Sequence, residues 1–127
     1  MDPRVTPSRP ILAAGAALAA LGIALGAFGA HGLRAVLGPA ELGWWHTAVQ
    51  YQMWNAIGLV ALAAAAPRRV PAMLIGAGTI LFSGSLYIMA LTGARWLGMV
   101  TPLGGALMIA GWGLVLFGAL AKGRDRN

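Results

Sequence analysis

Four stretches of the chain are almost free of charge, and the polar residues gather between them or cluster within one of them. Residues 11–30 read ILAAGAALAALGIALGAFGA, with no charged side chain in twenty positions. Residues 44–66 hold only His46 and Tyr51 as titratable groups, and residues 72–92 and 102–121 carry no charge. As a helix, each stretch is roughly 30 Å long at 1.5 Å per residue, the thickness of a bilayer's hydrocarbon layer. The pattern predicts four membrane-spanning helices at 11–30, 44–66, 72–92 and 102–121. These fill most of the 127 residues and leave no room for a soluble domain.

The connections are short. PRRVP and TGARWLGMVT each join neighbouring spans tightly, which makes those pairs antiparallel. The first connection is longer. In it His31, Arg34 and Gly38 alternate with Leu33, Val36 and Leu37, the pattern of a short helix lying in the interface over 31–38. Gly38-Pro39 ends that segment, and Pro39 with Glu41 suits the start of the next helix. Trp44, Trp45 and Trp96 are expected in an aromatic belt on one side of the membrane. The expected fold class is an all-α membrane protein: a four-transmembrane-helix bundle with short loops, one membrane domain over 1–127.

Composition agrees with that pattern. The chain is 59% hydrophobic and 9% charged, with a mean hydropathy of +0.76, where a soluble domain carries roughly 25% charged residues. Arg4, Arg9 and the small-x-small Ala27-Phe28-Gly29 sketch a signal peptide. The apolar run, however, exceeds the roughly 7–15 residues of a signal core, so the segment is expected to stay. Cysteine is absent, which removes disulfides and thiolate metal sites.

The net charge of +6 would suit nucleic acid, but its placement points to the membrane. Arg4, Arg9, Arg68, Arg69, Lys122, Arg124 and Arg126 fall on one side of a four-span chain, and Arg34 and Arg95 on the other. Short cytoplasmic segments are rich in Lys and Arg, so both termini are expected in the cytoplasm of a bacterial inner membrane. The expected partners are the lipid bilayer and a membrane protein or a second copy of the chain, with no nucleic acid.

Small residues follow a period of seven. Gly15, Gly22 and Gly29 line one face of the first span, and Gly104, Gly111 and Gly118 one face of the fourth. The third span repeats the step as Gly76, Ser83 and Ala90, while Gly22 and Gly26 add a GxxxG pair. Such stripes let helix backbones approach closely in lipid.

Polar residues concentrate in HTAVQYQMWNA at 46–56. Asn55 lies eleven residues beyond Trp44, about 16 Å deep. On a helical wheel Thr47, Tyr51 and Asn55 share a face, flanked by Gln50 and His46, with Gln52 nearly opposite and in need of its own partner. Thr79, Ser83 and Tyr87 are likewise spaced by four. Antiparallel packing predicts a ladder between the second and third spans, with Asn55 level with Ser83 and Tyr51 with Tyr87. Each interhelical bond of this kind contributes about 0.6 to 2 kcal/mol.

Four motifs, ALGAFGAHGL (24–33), TAVQYQMWNAIGL (47–59), LFSGSLYIMALTG (81–93) and TPLGG…GW (101–112), occur in order along the chain. Together they resemble the YgdD/YwdK-type small bacterial membrane proteins, domain-of-unknown-function family 423. The resemblance covers residues 11 to 121 and implies a four-span membrane protein of about this length. It brings no established activity, cofactor or substrate. Members of that family commonly carry a histidine at the position of Asn55.

Several chemistries lack their parts. A proton-coupled exchanger needs a membrane-embedded carboxylate, and Glu41, the one acid outside the tails, lies in a loop. His31 and His46 at helix ends, even with Glu41, make a weak haem or metal site. Ser83 and Ser85 have no intramembrane base, so a hydrolase is not supported. His31, Arg34, Glu41, His46, Arg95 and Trp96 form an outer cluster that suits either a quinone or lipid headgroup or a solvated rim. The expectation is a non-catalytic scaffold or accessory subunit with no catalytic residue, cofactor or metal. The alternative is a passive path for a small polar solute along Gln50, Tyr51, Asn55, Ser83 and Tyr87.

Overall fold

A computed structural model describes residues 6–124, which fold into four long helices: α1 (Arg9–His31), α2 (Pro39–Ala65), α3 (Arg69–Thr92) and α4 (Thr101–Arg124). The arginines at positions 4 and 126, assigned above to the cytoplasmic tails, lie outside the described residues.

Local sequence accounts for the helix ends. Ser8 caps α1 by accepting from the Ile11 amide at 3.3 Å, with proline in the first turn. Pro39 opens α2, and Glu41 places a carboxylate in its first turn, where the helix dipole favours negative charge. Gly93, at φ +72°, takes the left-handed conformation that ends α3 and sends its amide back to Met89.

Two connections differ from expectation. Residues 32–37 form turns and bends rather than an interfacial helix. The amides of Gly32 and Leu33 close the end of α1 on the Phe28 carbonyl, those of Val36 and Leu37 turn back to the Leu33 carbonyl, and Leu33 is buried while Arg34, Ala35 and Val36 are exposed. Flanked by Gly32 and Gly38, so short a segment does not propagate a helix. In the other connection Arg95–Met99 winds into a 3₁₀ helix, anchored by buried Leu97.

Each helix packs along its neighbour in the chain: α1 on α2, α2 on α3, and α3 on α4. The backbones of α1 and α3 approach only briefly, and those of α2 and α4, or of α1 and α4, do not come together. The all-α fold of four long helices joined by short connections agrees with the sequence, and the helices are arranged as a row in chain order. Large apolar side chains point outward along it, among them Ile23, Ile57, Ile80, Ile109 and Phe117. Exposed apolar surface on that scale suits a lipid solvent and not water. Three segments, Arg9–His31, Arg69–Thr92 and Arg95–Gly123, are long and apolar enough to cross a membrane. Although α2 has 27 residues, more than any other helix, Glu41, His46, Gln50, Gln52 and Asn55 dilute its apolarity.

Candidate functional site

The interior of the row is held by polar side chains that reach across helix boundaries, and glycines decide where they can reach. A side chain on a helix leans toward the N-terminus and shields the carbonyl four residues before it. A glycine at that position leaves the carbonyl open. On α1, Gly22 uncovers the Leu18 carbonyl, which accepts from the Gln52 amide nitrogen at 2.8 Å. One seven-residue step along, Gly29 uncovers the Leu25 carbonyl, which accepts from the Trp45 indole at 2.8 Å. Trp45 and Gln52 are themselves seven apart, so two donors on α2 match two open carbonyls on α1. A Cβ on Gly29 would strike the indole, and one on Gly22 would strike the Met53 sulfur. At the third position, Gly15, the backbones themselves meet: a Cβ there would lie 2.9 Å from the Ala56 carbonyl oxygen and the Val60 amide nitrogen.

Gln52 is the hub of this network. While its nitrogen binds α1, its amide oxygen accepts from the Tyr87 hydroxyl of α3 at 2.6 Å. One buried side chain therefore ties three helices together. Ser83 adds a second link from α3 by donating to the Ala48 carbonyl at 2.7 Å. Asn55 faces elsewhere: its nitrogen donates to the Tyr51 carbonyl at 2.7 Å, and its oxygen accepts from the Trp112 indole of α4 at 2.8 Å. At the end of the row the Ser85 and Thr101 hydroxyls share a hydrogen bond of 2.6 Å between α3 and α4.

The expected ladder is thus divided among three contacts. Asn55 binds Trp112 and not Ser83, and Tyr87 binds Gln52 and not Tyr51. Tyr51 is partly exposed and packs on Phe82 with ring centroids 4.6 Å apart. Gln50 is exposed on the outward face, and Thr47 is half-buried. Thr79 is buried but bonds the Ile75 carbonyl of its own helix at 2.6 Å. The reason is that α2 serves α1, α3 and Trp112 of α4 at once, so its polar residues cannot all turn to α3. Trp45 is also no belt residue: it is 2% exposed and stacks edge-on against Tyr87 at 4.6 Å. The sequence signal for the Trp45–Gln52 pair was its seven-residue spacing, which matches Gly22 and Gly29.

On α4, Gly104 meets the backbone of Phe82 and Gly78, and Gly111 meets Ile75 and Pro71. The small residue on the α3 side is Gly78. Gly76 has open space beside it, which corrects the Gly76 position of the expected third stripe, while Ser83 and Ala90 are buried. Gly26 lies near Val49. Gly118 repeats the α1 device: it uncovers the Leu114 carbonyl, which accepts from the Arg68 guanidinium at 2.9 Å.

Among the outer residues, His31, Arg34, His46, Arg95 and Trp96 are exposed, and Arg95 lies 5.8 Å from the centre of the Trp44 ring. Glu41 is partly buried near Gly38. Among the described residues no three His, Cys, Asp or Glu side chains come together as a metal site.

Because the backbones of α2 and α4 stay apart and meet only through side chains, Trp112 above all, a furrow runs between them. Its first part, about 700 Å³, is walled by Tyr51, Trp54, Phe82, Met108 and Trp112 with Asn55 beside them. Its second, about 530 Å³, lies at the far ends of both helices between Ala65, Val115 and Gly118, with Arg68 and Lys122 at its mouth. Trp112 stands between the two parts, its ring against Gly58.

Comparison with known proteins places these features in a family. Residues 25–105 match the family model described as protein of unknown function (DUF423). The chain is 43% identical to the UPF0382 inner membrane protein YgdD of Escherichia coli (strain K12) over 104 residues, covering 77% of this chain and 79% of that one. It is 42% identical to the UPF0382 membrane protein YwdK of Bacillus subtilis (strain 168) over 113 residues, covering 84% and 92%. A Staphylococcus haemolyticus membrane protein, SH2409, is 42% identical over 103 residues, covering 77% and 84%. No solved structure matches the chain. By the extent of these matches, the chain belongs to the DUF423 family of membrane proteins.

Proposed function

We propose that the protein crosses the inner membrane four times, with both ends in the cytoplasm, and acts without catalysis as a scaffold or accessory subunit. The observation that carries this reading is the closure of its polar interior. Among the described residues no buried side-chain nitrogen or oxygen lacks a hydrogen-bond partner within the chain. A catalytic or transport site keeps polar groups uncommitted for its substrate, whereas here Gln52, Asn55, Ser83 and Tyr87 are spent on helix contacts. Support for four spans comes from the length of α2 and from its packing between α1 and α3, with its buried amides Gln52 and Asn55 both hydrogen-bonded. Support for the orientation comes from Arg9, Arg68, Arg69 and Lys122 at one end of the row against Arg34 and Arg95 at the other.

Native mass spectrometry from membranes in mild detergent tests the scaffold reading, which expects a defined protein partner or a second copy at fixed stoichiometry. Liposome flux of a small polar solute that Asn55→Leu abolishes would overturn it. Single cysteines at the two ends and at Gly98, labelled from outside intact cells, test the topology. Only Gly98 should react.

A further inference from the structure

We infer that the cleft at the Arg68–Lys122 end of the furrow binds one anionic phospholipid of the cytoplasmic leaflet. The inference rests on the four-span reading for the leaflet assignment, but the cleft and its charges stand independently of orientation. Two features on separate helices meet there. The walls are apolar and small, with Ala65 and Ala66 at the end of α2 facing Val115, Gly118 and Ala119 of α4. The mouth carries Arg68 and Lys122, with Arg69 exposed beside them. Such a pairing of apolar trough and cationic rim matches an acyl chain joined to a phosphate.

The dimensions agree. Trp112, whose ring stands against Gly58 beyond the inner end of the cleft, lies ten residues from Lys122. That is about 15 Å along a helix, half of a bilayer's hydrocarbon core of roughly 30 Å. The cleft itself is lined from Val115 to Lys122, about 10 Å along α4, so it lies within one leaflet, with cations at the headgroup end and Trp112 beyond its inner end near the midplane.

The charge is also positioned. One guanidinium nitrogen of Arg68 donates to the Leu114 carbonyl at 2.9 Å, which draws the side chain across the mouth of the cleft and toward α4. Gly118 makes this possible, because a Cβ at that position would press into the guanidinium. The remaining nitrogens of the fork are free to face a phosphate, which a planar guanidinium binds bidentately. Glu41, the one carboxylate among the described residues, lies at the opposite end of α2, 24 residues from Ala65 and about 36 Å away. Commitment to a lipid instead of free phosphate follows from the trough, which a soluble anion would leave unfilled in an apolar solvent.

The test is native mass spectrometry of the full-length protein in mild detergent, titrated separately with phosphatidylglycerol, phosphatidylcholine and inorganic phosphate. Wild type is expected to retain one phosphatidylglycerol at least five-fold more strongly than phosphatidylcholine, and inorganic phosphate is not expected to displace it. Removing one cation lowers retention about five-fold and removing both about 25-fold. Lys122→Gln makes this measurement without touching a bond within the protein, and Arg68→Gln adds the second cation. Ala119→Leu fills the trough while leaving Arg68 and Lys122 in place, and is expected to abolish retention. Arg34→Gln with Arg95→Gln, at the other end, should leave it unchanged. Equal retention of the two lipids, displacement by phosphate alone, or full retention by the Arg68→Gln/Lys122→Gln variant would overturn the inference. Because binding in a micelle ignores sidedness, those failures remain distinct from a failure of the cysteine-labelling test.

Discussion

The α1–α2 and α3–α4 seams are both written in glycines seven residues apart, yet they use them differently. Along α3–α4 two of the three α4 glycines bring backbone onto backbone: Gly104 faces Gly78 and Phe82, and Gly111 faces Pro71 and Ile75, while Gly118 opens a carbonyl to Arg68 just before α3. Along α1–α2 only Gly15 does so, while Gly22 and Gly29 open carbonyls to Gln52 and Trp45. A small-residue stripe therefore does not define one kind of contact. The partner helix decides: α2 offers long donors at matching positions, and α3 offers a second glycine. The first seam derives specificity from directed bonds, and the second derives closeness from dispersion and shape.

Substitutions can break or sharpen that contrast. The largest effect is expected from Gly104→Leu, because fixed backbone and no flexible side chain occupies the space; a loss of about 3 kcal/mol follows from overpacking. Unfolding by detergent denaturant would measure it, and an unchanged midpoint would mean the α3–α4 seam is looser than described. Next comes Gln52→Leu, which removes two interhelical bonds and should cost about 2 kcal/mol, whereas Gln50→Leu on the exposed face should cost nothing measurable. Gly29→Ala and Trp45→Phe should each cost about 1 kcal/mol and together less than their sum, since either change already breaks the bond to Leu25. Strict additivity in that cycle would show that Gly29 serves packing alone. The smallest effect belongs to Trp112→Phe, which keeps most of the ring and loses one bond to Asn55, about 0.6 kcal/mol.

Much of the helix layout was legible because it follows from lengths. Uncharged runs of twenty residues and glycine or proline at their ends carry their own boundaries, and the Gly15–Gly22–Gly29 period could be counted directly. The polar contacts were less legible. A helical wheel ranks residues against one another on a single helix, so it grouped Asn55 with Thr47 and Tyr51 and set Gln52 aside. Which face meets which neighbour depends on where the neighbours stand, and α2 meets three. Gly76 and Gly78 show the same limit: both fit a small-residue stripe, and only the position of α4 selects Gly78. The furrow was invisible for a related reason, since the four-span pattern is equally compatible with a closed bundle that has none.

Trp112 carries a consequence for the membrane around it. An uninterrupted slot from one face of a bilayer to the other would offer phospholipid a ramp for flipping between leaflets. The indole resting on Gly58 and held by Asn55 bars that ramp at its middle. In the four-span arrangement proposed above, each half of the slot then fills from its own side while the asymmetry of the bilayer is preserved.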